Sequence, residues 1–368
     1  MRVLIMLLWG LLLVGIIAAQ GAGETLIAYT PVKQVPVTAR SMMSAPGDLM
    51  WVTPYGKPVE YVETDMYDPA GWDWSADGRY VLHGTHTGIA VLDRHYPAQY
   101  LINQHDSDFH YTWPAWSPSA EQIAYAALPV SQAEQLLGLN YRLFVTDAEG
   151  RAHQLLTDEV QVLSKPVWSP GGGELLFLGR KPLKDQTTYS DLPPLYKINA
   201  HGTNLTQLAE EAASFVWSPD GGRIAFSTLP EGGEIGEIDG TSRIEIMDAD
   251  GGNRDIIADG AGWRFIRAPW SANGRYLLYQ NDEPLKGLSQ LWLLDVETGM
   301  ESPLAKARTI GGADWSPDGT QIVYSPGDGT TADICIITLA TREERCLGVE
   351  AHWLSEPRWR SVQYMNSG

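Results

Sequence analysis

The chain has 368 residues, with 45 Asp and Glu against 26 Lys and Arg, a formal net charge of −19. Such a surface repels a polyanion at every phosphate, which excludes nucleic acid as a partner. At 44% hydrophobic and 19% charged the chain can build a packed core, and its 37 Gly, 23 Pro and 14 Trp point to an all-β fold rich in turns.

At the N-terminus, Met1 and Arg2 precede an apolar-and-glycine run from Val3 to Ala19, and Ala18, Ala19, Gly21 and Ala22 then offer small-residue cleavage sites. Residues 1–22 therefore read as a signal peptide. The run also reaches the shortest length that spans a bilayer, so an N-terminal membrane anchor is the competing reading. Either one places the remainder in a periplasmic or extracellular location, at the outer face of the cytoplasmic membrane if anchored. Residues 23–46 read as a linker and 47–368 as a single β-propeller domain.

The propeller follows from a Trp-Ser step that recurs six times, at Trp74, Trp116, Trp168, Trp217, Trp270 and Trp315, with spacings of 42, 52, 49, 53 and 45 residues. Periods of this size with aromatic and glycine signals in each unit indicate four-stranded antiparallel blades. After Trp-Ser comes a turn, clearest in Ser218-Pro219-Asp220-Gly221 and Ser316-Pro317-Asp318-Gly319. Proline presets the first corner, and Asp and Gly close it. A short apolar strand follows, as in Ile224 to Phe226, then a loop of variable length and a second hairpin such as Arg243 to Asp248 with its glycine-bearing turn. The unit is thus four strands, a to d. The segment Asp48 to Gly56 matches a c strand without a Trp-Ser hairpin before it, and Pro357-Arg358-Trp359-Arg360 matches an a strand with nothing after it. We therefore expect seven blades, the last shared between the chain termini, with six blades as the alternative. Little room for a b strand remains after Ser361, so this last blade is expected to hold three strands.

The Trp-Ser-Pro-Asp-Gly turn, the Ile-Ala-Phe strand and Ile246-Met247-Asp248-Ala249-Asp250-Gly251-Gly252-Asn253 resemble the WD40-like repeat, also called PD40, of the TolB family. The resemblance covers roughly residues 47 to 361. It implies a propeller; the same repeat occurs in oligogalacturonate lyases and in the non-catalytic propellers of prolyl oligopeptidases. The α/β domain that precedes the propeller in TolB is not matched here, which weighs against a role in the Tol system.

The two cysteines, Cys335 and Cys346, fall in one c–d hairpin. Aligned with Trp292 to Leu304, this hairpin places them directly opposite each other, at a separation a disulfide tolerates. Strand polarity puts the b–c loops and the blade-to-blade d–a connections on one face and the Ser-Pro-Asp-Gly turns on the other. Three b–c loops are long, Ala126 to Asn140, Gly179 to Pro193 and Ser227 to Thr241. Loops of that length often carry function. The first contains Ser131-Gln132-Ala133-Glu134, a helix-capping pattern, and the third carries Glu231, Glu234, Glu237 and Asp239. These acids make the loop face a candidate binding surface for a basic partner. Trp113 and Trp263, just before the inner strands, are the candidate aromatic contacts, whereas Trp74, Trp116, Trp168, Trp217, Trp270, Trp315 and Trp359 are expected to fill the cores between blades.

On the same face lie His83, His86, His105, Asp106, Asp108 and His110, a candidate divalent-metal set. The histidines suit Zn²⁺ or Mn²⁺, and the carboxylates with backbone oxygens suit Ca²⁺. The spacing matches no established metal motif, and no cofactor is expected. The chain carries no Gly-x-Ser-x-Gly elbow, no His-Glu-x-x-His and no phosphate-binding glycine loop. The expected function is accordingly a non-enzymatic, monomeric envelope scaffold that binds a protein or peptide. The alternative is a metal-assisted lyase or hydrolase of acidic polysaccharide, as the oligogalacturonate lyase resemblance implies.

Overall fold

The computed structural model describes residues 24–29, 32–38, 41–46, 49–55, 57–62, 72–85, 88–93, 98–102, 109–129, 140–181, 192–228, 241–261, 263–266, 270–283, 286–352 and 356–362. The segment 1–22 and the capping pattern at Ser131 to Glu134 lie outside these residues. Among those described, the regular structure is all strand and contains no α-helix.

The chain is an all-β propeller. Six blades are built from contiguous chain, each an antiparallel sheet in the order a-b-c-d. Blade 1 has Trp72–Trp74, Tyr80–Thr85, Gly88–Asp93 and Ala98–Ile102; blade 2 has Phe109–Trp116, Gln122–Pro129, Arg142–Asp147 and Gln154–Thr157. In blade 3 strand a is interrupted, with Gln161–Val162 and Val167–Trp168 both pairing with Glu174–Arg180, and Leu195–Asn199 and Thr206–Ala209 complete the sheet. Blade 4 comprises Ser214–Trp217, Arg223–Thr228, Thr241–Asp248 and Asp255–Ala261, and blade 5 Trp263–Ile266, Tyr276–Glu283, Leu288–Asp295 and Met300–Ala307. Blade 6 opens with Thr309–Trp315 and Gln321–Gly327, and its outer strands are broken into Thr331–Ala332 with Ala351–His352, and Cys335–Thr338 with Glu344–Cys346.

A seventh, composite sheet closes the ring. Arg358–Val362 from the C-terminus is its strand a, and Glu24–Tyr29, Leu49–Val52 and Pro58–Val62 from the N-terminus are b, c and d. The expected sharing between termini is present, but two expectations are corrected. Residues 23–46 are not a linker: Glu24–Tyr29 is strand b, and Val32–Thr38 with Ser41–Pro46 forms a hairpin inserted before strand c. The composite sheet consequently has four strands, not three, because its b strand comes from the N-terminus. The physical reason is burial: Leu26, Ile27 and Ala28 are all 0% exposed, and Ile27 pairs with Trp359 as Ile224 pairs with Trp217.

This register also fixes polarity. Glu24 faces Val362, so both chain ends leave the ring on the side of the Ser-Pro-Asp-Gly turns, opposite the long b–c loops.

Among the described residues, apolar side chains form seven clusters, one at each junction between neighbouring sheets. Each cluster contains one repeat tryptophan: Trp74, Trp116, Trp168, Trp217, Trp270 and Trp359 are 3–7% exposed, and Trp315 is half-buried. Trp315 lies beside a cleft of about 450 Å³ lined also by Tyr276, Leu293 and Leu339, which accounts for its greater exposure. Two indoles are tied to the preceding blade, where Trp168 Nε1 donates to the Ala115 carbonyl at 3.0 Å and Trp217 Nε1 to that of Val167 at 3.3 Å.

The serine of the Trp-Ser step has its own task. In all six contiguous blades its Oγ accepts the backbone N–H five residues later, from Tyr80, Gln122, Glu174, Arg223, Tyr276 and Gln321, at 2.8–3.1 Å. Where an Asp follows two residues on, the same hydroxyl donates to it, as Ser218 does to Asp220 at 2.5 Å and Ser316 to Asp318 at 2.6 Å. A buried hydroxyl thus closes the a–b turn and satisfies a backbone donor that packing removes from water.

Candidate functional site at the propeller axis

Strand a is the innermost strand. Lys165 of blade 3 reaches blade 1 past the intervening blade: its Nζ lies 3.1 Å from Asp73 Oδ1 and donates to the Trp72 carbonyl at 3.0 Å. Such a contact between non-neighbouring blades is available only near the axis. Asp73 is fixed from its other oxygen, where Oδ2 accepts the Trp116 backbone N–H at 2.8 Å. Asp314 stands before Trp315 as Asp73 stands before Trp74, and its Oδ2 accepts the Trp359 N–H at 2.9 Å.

The residue before Trp359 is Arg358, which pairs with Glu356 at 2.9 Å. Burial works against its charge, but the carboxylates of Glu356, Asp314 and Asp73 outweigh that and hold the guanidinium above its ordinary range. Three carboxylates and two cations therefore form a belt around the axis. Lys165, Asp73, Arg358 and Glu356 are each 26–30% exposed, so the belt is partly open to solvent.

Trp113 occupies the same ring of positions. The sequences Trp113-Pro114-Ala115-Trp116, Lys165-Pro166-Val167-Trp168 and Glu356-Pro357-Arg358-Trp359 align, and each places its first residue three before the repeat tryptophan. Trp113 sits on a bulge between Thr112 and Ala115, with φ of 52°. A left-handed φ at a bulky residue costs on the order of 1–3 kcal/mol, so the surroundings must impose it. Here the half-buried indole packs on the cluster between blades 2 and 3, its ring 5.5 Å from that of Tyr141. Burial pushes the Tyr141 hydroxyl above its usual range, keeping it a neutral donor.

The other sequence candidates are distributed differently. Trp263 opens strand a of blade 5, opposite Asp282 in register. Glu231, Glu234, Glu237 and Asp239 lie outside the described residues, as do His86, His105, Asp106 and Asp108. His83 lies inside strand b of blade 1 and is 1% exposed. On that strand Leu82 belongs to the cluster facing blade 2 and Val81 to the one facing the composite sheet, so alternation turns His83 toward the composite sheet. Half-buried His110 alternates with Phe109 and Tyr111, which face blade 1, and so turns toward blade 3. The two described histidines point away from each other and do not by themselves form a metal site.

The disulfide Cys335–Cys346 is present, with the two residues directly opposite in the ladder and their Cα atoms 3.9 Å apart. Sequence reasoning did not single out Asp73, Lys165, Asp314, Glu356 or Arg358. The signal available was their fixed offset, one or three residues before a repeat tryptophan.

This arrangement defines a class: a closed β-propeller whose inner strands carry a mixed-charge belt and an aromatic contact. Within that class, part of the chain is similar in sequence to TolB. A stretch of 125 residues is 32% identical to the Tol-Pal system protein TolB of Anaeromyxobacter dehalogenans, covering 33% of this chain and 25% of that protein. The match thus spans about a quarter of the length of that curated relative. No family model matches the chain. Among solved structures, an oligogalacturonate lyase in complex with manganese aligns over 89% of this chain and 85% of its own, at 14% identity and a TM-score of 0.58. An oligogalacturonate lyase from Vibrio parahaemolyticus aligns over 93% and 98%, at 10% identity and a TM-score of 0.57. At these identities the likeness is one of fold.

Proposed function

We propose that the chain is an exported, non-enzymatic scaffold that binds a protein or peptide partner in the bacterial cell envelope, through its loop face and the adjoining mouth of the axial channel. The observation that carries this reading is Trp113, a large aromatic held in a left-handed conformation on the axis-lining strand, in the same ring as the Lys165–Asp73 and Arg358–Glu356 pairs. An aromatic anchor bordered by partly exposed charges is the composition that peptide-binding surfaces concentrate. Oligogalacturonate lyases supply the alternative enzymatic reading at the level of fold. Of its candidate metal set only His83 and His110 are among the described residues, and these two turn apart.

Chain polarity agrees with a scaffold role. The N-terminal apolar run precedes Glu24, on the turn side of the ring. Whether removed as a signal or retained as an anchor, it precedes a strand that starts on the side opposite the b–c connections, the side proposed to meet a partner. Recovery of an envelope protein on the purified chain should fall when Glu231, Glu234 and Glu237 are changed together to Gln. Unaltered recovery would count against an acidic docking face.

A further inference from the structure

The belt and the loops leave one chemistry-bearing cluster unused, on the outer strands of blade 6. Cys335 Sγ, Cys346 Sγ and a carboxylate oxygen of Asp333 all lie within 4.8 Å of one another; among the described residues no other group of His, Cys, Asp or Glu converges this closely. While the two sulfurs are bonded they offer no thiolate.

Two features of the hairpin do not depend on that bond. Asp333 is clamped by backbone donors: its Oδ1 accepts Ile334 N–H at 2.7 Å and Val349 N–H at 3.0 Å, and its Oδ2 accepts Gly348 N–H at 3.2 Å. The carboxylate is thereby fixed to the chain on the far side of each cysteine. The ladder also has its own bonds, with Ile336 opposite Arg345, Ile337 opposite Glu344, and Leu347 N–H donating to the Ile334 carbonyl at 2.9 Å. Breaking the disulfide therefore leaves both thiols beside a fixed carboxylate. Cys335 is 0% exposed and Cys346 is exposed, so only one sulfur is open to attack.

We propose that the reduced hairpin is a binding site for a borderline-soft divalent ion of the zinc type, held by Cys335 Sγ, Cys346 Sγ and one oxygen of Asp333, with solvent as a fourth ligand. Two thiolates select such an ion over Ca²⁺ or Mg²⁺, and three protein ligands leave an open position. A dithiol reductant opens the site. Its thiolate attacks Cys346 Sγ, forming a mixed disulfide and expelling Cys335 as a thiolate that takes a proton; its second thiol then displaces Cys346. Two electrons pass from the reductant, which leaves as its own disulfide, and the protein holds two thiols. Ion binding then releases both thiol protons.

The test uses the full chain, reduced with a phosphine and titrated with Co²⁺ as the spectroscopic probe. The reduced wild type should show thiolate-to-cobalt charge-transfer absorption that saturates at a single equivalent, disappears when Zn²⁺ is added, and is absent from the oxidised chain. Cys346→Ser should lose the band. Asp333→Asn keeps an acceptor for the backbone clamp, and it should weaken Co²⁺ binding by at least about tenfold, the lower range found when even an outer-sphere partner is lost. No band in the reduced wild type overturns the site, as does an undiminished band in Cys346→Ser. Equal affinity in Asp333→Asn overturns the carboxylate's part. A near-ultraviolet tryptophan signal lost on reduction also contradicts the proposal, which requires the hairpin to outlast its disulfide.

Discussion

Asp314 of blade 6 accepts the backbone N–H of Trp359, in the composite sheet, at 2.9 Å. The bond joins the C-terminal strand to the blade before it in a place that is 7% exposed at Asp314 and 3% at Trp359. Arg345 adds a second tie by donating to the Pro54 carbonyl at 2.6 Å, and the cluster of Ile27, Val323, Ile336 and Trp359 adds a third. Removing the acceptor with Asp314→Ala should cost about 1–3 kcal/mol, the cost of a buried donor left unpaired. Asp314→Asn keeps an acceptor oxygen and should cost less. Chemical denaturation of both variants checks this; equal losses would show that the bond does not hold the closure.

Deleting residues 357–368 removes strand a of the composite sheet and exposes the edge of Glu24–Tyr29. Thermal unfolding should become less cooperative and begin at lower temperature. An unchanged melting curve would contradict a ring closed by the chain ends.

The repeat tryptophans should not be equivalent. Trp270→Ala empties a site that is 3% exposed and should destabilise by about 3–5 kcal/mol, as large buried aromatics do. Trp315→Ala, at the half-buried position beside the blade 5–6 cleft, should cost less. The ordering of the two unfolding free energies is the measurement.

Acid stability follows from the turns. Asp220 is held below its ordinary 3.8 by the Ser218 hydroxyl and the Gly222 N–H, and Asp318 by the Ser316 hydroxyl and the Thr320 N–H. A carboxyl lowered in the folded state stabilises above the unfolded value, and that stabilisation is lost as pH falls through the lowered folded value. Melting temperature should therefore drop below about pH 4, and a Ser218→Ala/Ser316→Ala variant should show a shallower drop. His352 acts in a separate window. Burial lowers it from 6.5, so the unfolded chain takes up its proton first and stability falls as pH drops below that value. His352→Gln should remove this part, and an identical slope between pH 6.5 and 5 would count against it.

The repeat was legible because each blade must bury one aromatic at a junction and close one tight turn, and both needs leave local marks in the sequence. The b strand of the composite sheet carried a mark too: Ile27-Ala28-Tyr29 repeats the step seen in Ile123-Ala124-Tyr125 and Ile224-Ala225-Phe226. It was hidden because its partner Trp359 lies at the other end of the chain, so no Trp-Ser step precedes it. The disulfide was readable, since a hairpin fixes which residues face each other. The axial belt was not, because the pairing of Lys165 with Asp73 depends on ring curvature, which local pattern does not encode. Of the histidine set, His83 sits inside a strand whose alternation turns it away from His110, while His86, His105, Asp106 and Asp108 lie outside the described residues.

Trp113 as a ligand contact at the axis is the centre of the proposed function. The direct measurement is quantitative capture of envelope proteins on immobilised wild type and Trp113→Ala, with melting temperature recorded for both. Trp113→Ala should lose the partner recovered by the wild type while still melting cooperatively. Equal recovery by the two would contradict it.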